Sequence, residues 1–105
     1  MNYFEAVMEE CGYKPMTTFW MDFTIADKFG INAIKDTFQR AFEGWKYDVK
    51  YLTELVMVLN HKIWYWYKKD EAKAKVYDEL WREADVWCSE NLTGEDADYY
   101  FQTTD

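Results

Sequence analysis

The stretch Asp48 to Lys68, DVKYLTELVMVLNHKIWYWYK, decides the fold. Val49, Leu52, Val56, Leu59, Ile63 and Tyr67 recur at spacings of three and four, the period of one face of an α-helix. Asp48 stands where an N-cap carboxylate would accept from the first free backbone N–H groups. Leu55 to Leu59 are consecutive apolar residues and in isolation would also suit a buried strand, but the long flanking periodicity favours helix. A helix apolar on more than one side belongs at the centre of a fold, covered by others.

Working outward, Lys68-Lys69-Asp70-Glu71 is short and charged, and so predicts a turn into an antiparallel helix reaching about Leu92. Its buried stripe is Tyr77, Leu80, Ala84 and Trp87, with Glu71–Lys75 and Asp78–Arg82 as i,i+4 pairs outside. Thr93 followed by Asp96 can cap a last short helix carrying Ala97, Tyr100 and Phe101. On the N-terminal side, Ile31, Ile34, Phe38, Ala41, Phe42 and Trp45 form one stripe opposite Lys35, Asp36, Gln39, Arg40 and Glu43, a strongly amphipathic helix. Phe19, Trp20, Phe23, Ile25, Ala26 and Phe29 suit a shorter helix that Gly30 stops, and Asn2 with Glu5 resembles a capping box for a first helix ending at Gly12. The expected architecture is an all-α compact bundle of five to six helices around a long central antiparallel hairpin, one domain spanning residues 1–105.

Composition agrees with that reading. Half the residues are hydrophobic and 21% aromatic, ample for a core in 105 residues, while four glycines and one proline are too few for the turns of a β-sandwich. The net charge of −8 is unevenly placed: no Lys or Arg follows Arg82, whereas Glu83, Asp85, Glu90, Glu95, Asp96, Asp98 and Asp105 do. Residues 83–105 therefore form an acidic segment that repels nucleic acid and anionic membranes and attracts basic surfaces. The longest apolar run is far short of a membrane span, and the N-terminus lacks the basic start of a signal peptide, so a cytoplasmic location is expected.

Motifs for chemistry are sparse. His61 is the sole histidine and has Met57 and Tyr65 four residues to either side, with no ligand or carboxylate at helical spacing. Cys11 and Cys88 are far apart and read as buried thiols. Glu79 and Glu83 share a helix face, but a Mg²⁺ site needs matching carboxylates on the facing helix, where only Glu54 is available. No glycine-rich phosphate loop or nucleophile elbow is present. These features predict no enzyme, no cofactor and no metal.

Three stretches carry candidate binding functions. Trp64, Tyr65, Trp66 and Tyr67 are consecutive rings, about 100° apart on a helix, so they cannot all face one core. They are candidate partner-binding residues, because Trp and Tyr dominate interface hot spots, and the partner is another protein or a second copy of this chain. Ile25 to Ile31 resembles the opening of a helix-turn-helix, with Ala26 four residues before Gly30, but Asp36 and Gln39 fall where a recognition helix would bury apolar residues. Lys35, Gln39 and Arg40 are the side chains it would offer to DNA. Glu83, Asp85, Glu90, Glu95, Asp96 and Asp98 form a candidate acidic face able to imitate nucleic acid.

Phe19-Trp20-Met21-Asp22-Phe23, Tyr51-Leu52-Thr53-Glu54-Leu55-Val56-Met57-Val58-Leu59-Asn60 and Tyr77-Asp78-Glu79-Leu80-Trp81-Arg82-Glu83-Ala84-Asp85 resemble small proteins encoded in prophages and conjugative elements of Firmicutes. The resemblance extends over most of the chain. It implies a mobile-element setting and a bacterial cytoplasm, and transfers no active-site residue.

Overall fold

The periodicity around Leu55 produces the central helix of the molecule. A computed structural model describes residues 18 to 104, which form α1 (Thr18–Phe29), α2 (Ile31–Trp45), α3 (Val49–Trp66), α4 (Glu71–Asn91) and α5 (Gly94–Thr104), with no strand among them. The expected first helix near Asn2–Gly12 and the thiol of Cys11 lie outside the described residues. No described helix is long and apolar enough to cross a membrane.

Asp48 caps α3 as expected, its carboxylate accepting from the Lys50 backbone N–H at 3.2 Å, and Asp70 does the same for α4 from Lys73. The chain reverses through Tyr67–Asp70, so α3 and α4 form an antiparallel hairpin, and this pair makes the most extensive contact among the described helices. The 21-residue α4 is about 32 Å long at the usual rise, against a longest molecular dimension of 41 Å. All four other helices touch α3, which explains why Leu52 to Val56 are buried without interruption. The middle of α3, with neighbours on every side, has no face to spare for solvent, whereas Lys50, Asn60 and Trp64 nearer its ends are exposed.

α1 and α2 meet at a corner made by Gly30 alone, with φ +102° and ψ −174°. That backbone region is essentially restricted to glycine. Phe19, Trp20, Phe23 and Ala26 of α1 and Ile34, Phe38 and Phe42 of α2 are buried in the core, while Lys35, Asp36, Gln39, Arg40 and Glu43 are exposed, as the stripe predicts. Ile25 and Phe29 depart from expectation: both are exposed, Phe29 to 77%, because the core takes the other side of α1. α5 folds back along the hairpin, and its first intrahelical bond runs from the Ala97 N–H to the Thr93 carbonyl.

Candidate functional site

The hairpin turn separates the four consecutive rings into two pairs. Trp64 and Tyr67 are 66% and 54% exposed and stand together, ring centroids 5.7 Å apart. Tyr65 and Trp66 are half-buried and meet edge to face at 4.8 Å. Lysines dress the same end of the molecule: Lys69 Nζ lies 4.4 Å from the Tyr65 ring centroid, Lys73 Nζ 4.4 Å from that of Trp66, and Lys68 Nζ 5.9 Å from that of Tyr67. Cations over ring faces hold the aromatic end in place. The four rings expected to act together are thus an outward pair, Trp64 and Tyr67, supported by an inward pair.

Beneath them is a polar node that the sequence reading missed. Lys62 lies on the core face of α3, three residues after Leu59, and is fully buried. Its Nζ donates to Asp27 Oδ2 at 2.7 Å and to Thr24 Oγ1 at 3.1 Å, and lies 5.0 Å from the Trp20 ring centroid. Asp27, also fully buried, accepts from the Tyr77 hydroxyl on Oδ1 at 2.5 Å, and its backbone carbonyl accepts from Lys73 Nζ at 2.8 Å. One carboxylate thereby joins α1, α3 and α4. Burying two charges is tolerable only when the pair is close and its remaining lone pairs and protons are satisfied, and this arrangement meets both conditions. The signal in the sequence was a lysine on an apolar stripe, which requires a carboxylate from another element.

At the far end of the hairpin, Glu83, Glu90, Glu95, Asp96 and Asp98 are exposed along the end of α4 and the start of α5. Asp85 differs from the other five. It is half-buried, and its Oδ1 accepts from the Tyr100 hydroxyl at 2.5 Å. Burial, followed by that hydrogen bond, pushes the Tyr100 hydroxyl well above its ordinary range, and burial pushes the adjacent Cys88 thiol up to about 11. Cys88 is a buried free thiol at neutral pH and a poor nucleophile. His61 packs edge to face against Trp20, 6.4 Å between ring centroids, and burial lowers its pKa. No three His, Cys, Asp or Glu side chains converge among the described residues.

Lys35, Gln39 and Arg40 are all exposed on α2, but the corner before them is the single residue Gly30, shorter than the three- to four-residue turn of a helix-turn-helix. Instead, α1 and α2 flank a groove of about 580 Å³ whose walls include Ile25, Phe29, Ala33, Arg40 and Trp45. Comparison with protein-family models, with curated proteins and with solved structures finds nothing that matches this chain.

Proposed function

We propose that the chain is a non-catalytic accessory protein that acts by binding another protein, in the bacterial cytoplasm and mobile-element setting that its three resembling strings imply. The observation that carries this reading is the outward ring pair Trp64–Tyr67 at the hairpin turn, exposed and adjacent, on a base of half-buried rings and lysines. Large rings with few rotatable bonds lose little entropy on docking and bury much area, which is why such residues dominate hot spots.

The test is capture with the immobilised chain, identification and purification of the captured protein, and titration of that protein against Trp64→Ala/Tyr67→Ala. Loss of two hot-spot rings should weaken binding at least about tenfold. Both side chains are exposed, so thermal stability should change by only about 0.5 kcal/mol per site. Affinity indifferent to both substitutions would remove the ring pair from the interface.

A second reading, an acidic imitation of nucleic acid that blocks a basic groove, is supported by the five exposed carboxylates Glu83, Glu90, Glu95, Asp96 and Asp98. It predicts steeply salt-sensitive binding to a nucleic-acid enzyme, lost when these five become amides and unaffected by the ring substitutions.

A further inference from the structure

Between α3, α4 and α5 lies a second cavity, of about 300 Å³, walled by Met57 and Asn60, by Trp81 and Asp85, and by Phe101 and Thr104. Its volume is at the bottom of the small-molecule range of roughly 300–1,000 Å³, a size for a side chain rather than a nucleotide. Asp85 supplies the only charge on its walls among the described residues. The Tyr100 hydroxyl fixes that carboxylate through Oδ1, and no lysine or arginine among the described residues pairs with it. Arg82, one turn earlier, is engaged with Asp78 at 3.0 Å, and no basic residue follows it in the sequence.

We propose that this cavity receives an arginine side chain from the partner protein, an inference that rests on the protein-binding reading above and names what that partner presents. A carboxylate partly withdrawn from water pairs more strongly with a cation than an exposed one does, and a cation entering beside it gains both that charge and contact with the Trp81 and Phe101 rings that line the cavity. The guanidinium is favoured over an ammonium because its planar fork offers several donors at once and stacks on rings. Asp85, Asn60 and Thr104 are the acceptors on these walls. The surrounding acidic segment raises the local concentration of such a partner.

The probe is the blocked tripeptide acetyl-Gly-Arg-Gly-amide, titrated into the ¹⁵N-labelled full chain while the Trp81 indole N–H signal is followed. A saturable shift is expected, with at least about tenfold weaker binding in Asp85→Asn, where the Tyr100 hydroxyl still has an amide oxygen to donate to. Phe101→Leu, at a half-exposed ring, should weaken binding without unfolding the chain. Trp64→Ala/Tyr67→Ala should bind the tripeptide normally, so failure here and failure of the ring-pair reading are separate results. Absence of a saturable shift at tens of millimolar peptide, an equal response to the citrulline tripeptide, or unchanged binding in Asp85→Asn would each overturn the proposal. An equal response to the lysine tripeptide would overturn the choice of arginine.

Discussion

A single buried carboxylate, Asp27, serves three helices, and that concentration of contacts sets what its removal does. Lys62→Met leaves the carboxylate enclosed with the Tyr77 hydroxyl as its remaining donor, so a loss of about 3–5 kcal/mol is expected in urea unfolding, a large part of the stability of a small domain. The paired change Asp27→Leu with Lys62→Met removes both charges and should cost far less than the sum of the singles. If the double variant is as unstable as the sum, the two side chains are not coupled. Glu54 presents the opposite case. It is 8% exposed, its Oε2 has no hydrogen-bond partner among the described residues, and burial raises its pKa. Glu54→Met should therefore stabilise the protein at neutral pH by about 1 kcal/mol, read as an increased urea midpoint at unchanged slope.

At the scale of the elements, the helices were legible because each signal is local. The 3.6-residue stripe of Ile34, Phe38 and Phe42, the cap Asp48, the charged turn at Lys68–Glu71 and the stop at Gly30 are all set by neighbours within a turn or two. Gly30→Ala tests the corner. A Cβ there meets no atom of the other described residues within 4 Å beyond its chain neighbours, so the expected loss is that of backbone strain, about 1–3 kcal/mol. A loss near zero would mean that the corner relaxes into an ordinary conformation. The same local logic failed for Ile25 and Phe29, which suit the helix but not its buried face. Which side of α1 meets the core depends on Asp27 and Thr24 reaching Lys62, thirty-five and more residues away.

The described helices are electrically lopsided, with Lys68, Lys69 and Lys73 around the rings at the hairpin turn and the exposed carboxylates of α4 and α5 towards the other end. Its stability should fall on both sides of neutrality. Burial depresses the folded pKa of His61 below the ordinary imidazole value of about 6.5, so the folded state favours the neutral ring. Its contribution is present above pH 6.5 and is lost as the pH drops through the folded value. Cys88 has the opposite sign. Raised from 9.0 to about 11, it contributes fully below pH 9.0 and loses that contribution as the pH rises through about 11; Tyr100, also raised, acts in the same direction at higher pH. Urea midpoints across pH should show both limbs, and Cys88→Ala should flatten the alkaline one. An alkaline limb unchanged in that variant would assign it to other groups.

By itself the sequence determined five of the helices, the hairpin of α3 and α4, the central place of α3 and the acidic end, because periodicity, capping and charge count are properties of adjacent residues. Only the tertiary structure decided that Trp64 and Tyr67 face outward while Tyr65 and Trp66 turn inward, that Lys62 is enclosed with Asp27, and that Asp85 is held by Tyr100 at the wall of a cavity. Each of these depends on a partner from a distant part of the chain, and a charge or a ring acquires its environment only when the helices that surround it have packed.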